Sequence, residues 1–283
     1  MYALDVERFI RAGGVRARVI EEGEGEAFLL VHGVGAWAEN WLPVMRPLAD
    51  AGYRAIACDL PGHGQSGRAR RVRYFDSDDP YYVRFALDVL DALGIERANL
   101  FGHSLGGAIA GIAALAAPHR VRRLVLVSAG GLGADLPRTL RLSAIPLAHL
   151  LARFLSDEDA RAYVRSCFYD PRRVPEWLYA DAIRYTRAGA GAEFCRVMNQ
   201  VATVFGVRES LRRAWLRRLG TLRCPTLVVW GREDAVLPVS HAEAARELIP
   251  HARVEIVPGA GHLLMVECPQ EFTRIALAFL KST

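Results

Sequence analysis

The chain has 283 residues, of which 52% are apolar and 24% charged, and carries a net charge of +5. Such a chain buries a substantial core as one large domain or a domain with an insertion, which excludes a disordered polymer and a small disulfide scaffold. No run of about 18 apolar residues is free of charge, so no transmembrane helix and no stable membrane insertion are expected.

In chain order, Val15–Glu22 and Ala27–His32 read as short strands bounded by glycine. A helix is expected over Asn40–Ala51 and a buried strand over Tyr53–Cys58. The segment DLPGHGQSG, Asp59–Gly67, is a turn-rich loop. Asp79-Pro80 supplies an N-cap and first turn for a helix over Pro80–Leu93. Ala98–His103 reads as a strand, Leu105–Ala117 as a helix rich in small residues, and Arg123–Ser128 as a strand. From Gly131 to Gly220 the pattern turns almost wholly helical; TLRLSAIPLAHLLARFL and AEFCRVMNQVATVF both carry a 3.6-residue period. Alternation resumes with a strand in Cys224–Gly231, a helix over Ser240–Ile249, a strand over Arg253–Val257 and a helix over Pro269–Lys281. The reading is an α/β fold with a mostly parallel sheet covered on both faces. Its core comprises residues 1–130 and 221–283, and 131–220 form an inserted helical cap.

The cap segment holds 15 Arg against 9 acids, a net of +6, so the whole positive excess lies there. It is read as a solvated helical surface. No basic stripe interleaved with aromatics accompanies it, and nucleic acid is not an expected partner. The opening MYALDVERFIRAGG lacks a basic region followed by an apolar one, so no secretory leader is expected. Five scattered cysteines without a C-x-x-C read as reduced thiols of a cytoplasmic protein, with no metal site.

The chemistry concentrates in Gly102-His103-Ser104-Leu105-Gly106, a G-x-S-x-G between a strand and a helix. A serine on that sharp turn stands above the sheet, and glycines on either side remove Cβ clashes. A hydroxyl needs a base at neutral pH. His262, in the loop PGAGH after the last strand, is placed at the same sheet edge. Asp234, after the strand TLVVWG, is the carboxylate expected to orient His262, with its neighbour Glu233 as the rival. The backbone N–H groups of Leu105 and of Val34, in HGVG, are the expected oxyanion donors. His32 and the loop Asp59–Gly67 are expected to order that loop rather than react.

Together HGVG, DLPGHGQS, GHSLGG, GREDAVLP and GAGH resemble the α/β-hydrolase superfamily over essentially the whole chain. The resemblance implies a capped serine hydrolase with Ser104, His262 and Asp234 as its triad and no cofactor. It favours Asp234 over Glu233, and Ser104 in place of Asp sets aside dehalogenases and epoxide hydrolases. The implied branch includes carboxylesterases, enol-lactone hydrolases and meta-cleavage C–C hydrolases; the same fold also serves non-enzymatic ligand receptors. Leu263 stands where C–C hydrolases usually carry an aromatic residue, and Arg196 is the cap arginine that would hold a substrate carboxylate. The expected reaction is hydrolysis of a small to medium apolar carboxylic ester. Trp37, Arg196 and Leu263 are expected to meet that small-molecule substrate, and the cap aromatics Phe154, Phe168, Tyr169, Trp177, Tyr185, Phe194 and Phe205 to pack in the cap or shape its pocket.

Overall fold

The computed structural model describes residues 6–69, 72–75 and 80–283. Its strands are β1 (Val6–Ala12), β2 (Val15–Glu22), β3 (Glu26–Val31), β4 (Tyr53–Cys58), β5 (Ala98–His103), β6 (Val121–Val127), β7 (Ala202–Thr203), β8 (Gly206–Val207), β9 (Thr226–Gly231) and β10 (Arg253–Val257). Eight of them form one sheet in the order β1-β2-β4-β3-β5-β6-β9-β10. β2 pairs antiparallel with β1 and with β4, and every other pair in that sheet is parallel. β1 was not marked by the sequence. Its residues are mostly exposed or half-buried, so it lacks the continuous apolar run that identifies the central strands.

Successive side chains on a strand face opposite ways, and the central strands are apolar on both faces. In β6, Leu124 and Leu126 join the core that holds Phe85, Val89 and Ile109. Val125 and Val127 join the opposite core, with Met45, Phe272 and Phe279. The first core is built by α2 (Tyr81–Ala92), α3 (Leu105–Ala116) and α10 (Ser240–Leu248), the second by α1 (Leu42–Asp50) and α12 (Pro269–Lys281). Each fully buried large side chain contributes about 1.5–3 kcal/mol. The expected N-cap Asp79 lies outside the described residues; the helix itself starts after Pro80.

Between β6 and β9 the chain leaves the sheet. It forms α4 (Arg138–Ser143), α5 (Ala148–Leu151), α6 (Asp157–Ser166), α7 (Glu176–Arg187), α8 (Ala190–Val201) and α9 (Glu209–Leu219). Two expectations need correcting. The run TLRLSAIPLAHLLARFL is not one helix: Pro146 has no N–H to donate, Leu147 takes a left-handed φ of 69°, and the run breaks into short pieces. The segment AEFCRVMNQVATVF stays helical only to Val201, where β7 and β8 form a small antiparallel hairpin.

Candidate active site

Ser104 sits between β5 and α3 at φ 53°, ψ −118°, a left-handed backbone that a side-chain-bearing residue adopts only at a cost of about 1–3 kcal/mol. Close packing holds it there. A Cβ on Gly106 would lie 2.1 Å from the carbonyl oxygen of Val31, and one on Gly102 would lie 2.2 Å from that of Gly106. The helix is thus pressed onto the neighbouring strand end, a fit open only to glycine. The Ser104 carbonyl accepts the N–H groups of Gly107 and Gly130, and its own N–H donates to Val127.

Across the sheet edge, His262 Nδ1 lies 2.8 Å from Asp234 Oδ2. The second oxygen, Oδ1, accepts the N–H groups of Val236 and Leu237, each at 2.8 Å. The Asp234 side chain is fully buried and that of His262 nearly so. Held this way, the carboxylate fixes the Nδ1–H tautomer and leaves Nε2 as the acceptor. Glu233, the rival, does different work: its Oε2 accepts the N–H groups of Gly259 and Ala260 at 2.8 and 3.2 Å. It braces the loop that carries His262.

Ser104 and His262 line one narrow chamber of about 30 Å³, together with Val34, Trp37 and Leu263. Leu105 is the first residue of α3, where helix N–H groups have no intrahelical acceptor. Among the described residues, neither its N–H nor that of Val34 is taken by a protein acceptor. A Cβ on Gly33 would stand 2.8 Å from Ser104 Cβ, so this loop must approach the serine closely. A second layer fixes the loop. His32 Nδ1–H donates to Gly33 O at 2.7 Å, and Nε2 accepts the N–H of Leu60 at 2.9 Å. Asp59 accepts the N–H groups of Ala38 and Gln65 at 2.8 Å each and pairs with the buried Arg18. Burial, then repulsion from Glu39, pushes the Asp59 carboxyl up to about 6 against the pull of Arg18.

Two further spaces share walls with this chamber. A cavity of about 550 Å³ lies under α4–α8, lined by Trp37, Leu140, Tyr163, Tyr185 and Phe194 among others, with Asp159 as its charged residue. A smaller one of about 100 Å³ is lined by Ser104, Leu105, Ile112, Leu136, Trp215 and Arg212. Ser104 lines the narrow chamber and the smaller space, and the large cavity borders that chamber through shared walls, Gly35, Trp37, Leu140, Tyr163 and Val236.

The structure brings Ser104, His262, Asp234, Val34, Leu105, Trp37 and Leu263 to one place, but not Arg196. That arginine pairs with Glu193 at 3.2 Å and lines none of the three spaces. Glu193 is fully buried, also binds Arg68 at 2.8 Å and accepts the Tyr74 hydroxyl, and draws Arg196 away from the serine. Of the cap aromatics, Tyr185 and Phe194 line the large cavity, Phe168 is buried, and Phe154, Tyr169 and Phe205 are exposed.

Sequence reasoning missed three residues that position the site. Glu267 accepts the N–H groups of Gly261, Asp170 and Tyr169 at 2.7, 2.8 and 3.1 Å, tying the His262 loop to the segment after α6. His103 Nε2–H donates to the His262 carbonyl at 3.0 Å, and burial holds its own protonation well below the usual histidine range. Tyr163 donates from α6 to Val34 O at 3.2 Å. A buried histidine inside the serine motif was a usable signal; Glu267 and Tyr163 lie in no local pattern.

The alpha/beta hydrolase fold family matches residues 26–173 and 191–269. The chain is 33% identical over 267 residues to a 2-hydroxy-6-oxo-6-phenylhexa-2,4-dienoate hydrolase of Comamonas testosteroni, covering 92% of this chain and 90% of that protein. It is 34% identical over 269 residues to the dihydrolipoyllysine-residue acetyltransferase component of the acetoin cleaving system of Cupriavidus necator, covering 95% and 67%. Among solved structures it resembles a bacterial membrane phospholipase A at 27% identity and a TM-score of 0.81, over 98% of this chain and 86% of that one. The chain belongs to the alpha/beta hydrolase fold family.

Proposed function

We propose that this hydrolase is a serine carboxylesterase for apolar esters, with residues 131–220 acting as its cap. Ser104 attacks the ester carbonyl while His262 Nε2 takes its proton. The imidazolium so formed is stabilised by Asp234, and the N–H groups of Leu105 and Val34 receive the oxyanion. His262 returns the proton to the departing alcohol, and water then clears the acyl-enzyme by the same relay. The observation that carries the reading is that the Ser104 chamber shares walls with two apolar spaces, about 550 and 100 Å³, the smaller of which Ser104 itself lines. The larger suits one apolar arm of an ester, the smaller the other. The charged residue in the large cavity is an acid, Asp159, which disfavours a substrate carboxylate there. Five free thiols support a reducing, cytoplasmic setting.

Arg212 favours a second reading. It lines the smaller cavity beside Ser104, where a cation would hold the carboxylate of a dienoate for C–C or enol-lactone hydrolysis, and the Comamonas relative is named for such a reaction. Glu209 already holds this guanidinium at 2.9 Å, so the ester reading is preferred. Turnover of p-nitrophenyl esters of increasing chain length, set beside a dienoate ring-fission product, tests the choice. Preference for the esters supports the first reading; preference for the dienoate, lost in Arg212→Ala, supports the second.

A further inference from the structure

The broken run from Arg138 to Leu155 has two sides. One side, including Leu140, Ala148 and Ala152, lines the large cavity. The other faces solvent: Leu142, Leu147, Leu150 and Phe154 are 59, 65, 47 and 70% exposed. Leu151 and Leu155 do both, lining the cavity while remaining 71 and 45% exposed. A soluble surface rarely gathers so many large apolar side chains in one stretch, and such a patch marks an interaction site. A cap segment folded only to cover the serine would turn these side chains inward.

The charge of the run is equally one-sided. From 138 to 156 it contains Arg138, Arg141, His149 and Arg153 and no acid. Arg138 and Arg153 are exposed, and Arg153 lies over the Phe154 ring. The acids that begin α6 are already engaged: Asp157 by Arg187, Glu158 by Arg165 and Asp159 by Ser156. Apolar side chains flanked by arginines whose stems can lie along them make a surface suited to an anionic membrane interface. A two-fold contact with a second copy would set these arginines against their own kind.

We propose that this patch seats the protein on the surface of an anionic lipid bilayer, with the large cavity opening at the contact. The substrate class is then an ester carried in the bilayer, entering the large cavity beside Leu151 and Leu155. The seating is peripheral: among the described residues no helix is long and apolar enough to cross a membrane. The substrate assignment rests on the esterase reading; the seating does not.

The experiment is co-sedimentation of the full chain with vesicles of phosphatidylcholine, alone or mixed with phosphatidylglycerol, alongside turnover of soluble p-nitrophenyl acetate. The wild type should bind the mixed vesicles about ten-fold more tightly than the neutral ones, and less so as salt rises. Leu150→Glu with Phe154→Glu, and separately Arg138→Glu with Arg153→Glu, should each reduce that binding by about ten-fold or more and retain acetate turnover. Hydrolysis of a long-chain p-nitrophenyl ester held in the mixed vesicles should fall in parallel. A wild type active on the acetate but absent from both vesicle pellets would overturn the seating. So would a stable dimer in light scattering that the Leu150/Phe154 pair converts to monomer. Vesicle binding without ester turnover would leave the seating standing and remove the esterase reading.

Discussion

The Glu267 carboxylate accepts the N–H of Gly261 at 2.7 Å, one residue before His262, and reaches at the same time to Tyr169 and Asp170. The base therefore stands on a loop whose position depends on the segment after α6. A Cβ on Gly261 would lie 2.6 Å from the Tyr169 nitrogen, so the two segments are already in contact. Glu267→Gln removes one acceptor oxygen and weakens this join. We expect kcat for a short p-nitrophenyl ester to fall about ten-fold with little change in KM, because alignment rather than binding is lost. Steady-state kinetics check this; a rise in KM at constant kcat would show that Glu267 acts on the pocket instead.

The placement of Ser104, His262 and Asp234 was legible because each follows a strand in a short, glycine-marked loop. Strand ends in a parallel sheet share one edge, so sequence order translated into proximity. Arg196 was not legible in the same way. Its helix could be read, but its side-chain direction depends on Glu193 one turn earlier, and the burial of Glu193 depends on Tyr74 and Arg68, far away in sequence. The Arg138–Leu155 run shows the other limit. Its apolar period was readable as helical, but not where it breaks: Pro146 and the left-handed turn at Leu147 divide it and leave one side in solvent. Glu267 lay in no motif because it binds backbone N–H groups brought together only by the fold.

The approach of Gly33 to the serine yields a steric prediction. A methyl at this position would meet Ser104 Cβ at 2.8 Å and His103 Nδ1 at 3.2 Å, so Gly33→Ala must shift the loop carrying the Val34 N–H. We expect kcat to fall roughly 10–100-fold through a displaced oxyanion donor, with the circular dichroism spectrum retained. Unaltered kcat would remove Val34 from its proposed role.

The large cavity makes a specificity prediction. Ala190 lines it near Gly191 and Phe194, and Ala190→Trp fills part of its volume. The ratio of kcat/KM for octanoate over acetate esters should fall about ten-fold or more, one lost methylene pocket costing roughly 1 kcal/mol. An unchanged ratio would mean that the acyl chain does not enter this space.

Buried histidines set the acid stability. Burial, with repulsion from His63, lowers His32 to about 3 from the ordinary 6.5, against the raising effect of its bond to Gly33; burial also lowers His103 well below that value. The unfolded chain takes up these protons below about pH 6.5 and the folded chain refuses them. Their contribution is therefore complete above that pH and is lost as pH falls toward 3, on the order of 5 kcal/mol for His32 alone. Asp59 acts in the opposite sense, since its carboxyl, raised to about 6 from 3.8, is protonated first in the folded state and adds stability between those values. Burial lowers His63 and His241 as well and raises Asp181; with four histidines against two carboxyls, urea unfolding should show a net loss of stability from pH 6.5 to 3. His32→Gln should make that loss shallower; an unchanged slope would contradict the assignment.

The most direct measurement is intact-protein mass spectrometry after a fluorophosphonate probe, followed by peptide mapping and by turnover of p-nitrophenyl butyrate. The account predicts one adduct, on Ser104, in the wild type, and none in Ser104→Ala. It also predicts strongly slowed labelling in His262→Ala, with kcat reduced by about three orders of magnitude or more in both variants. Labelling at another residue, or butyrate turnover that survives Ser104→Ala, would contradict it.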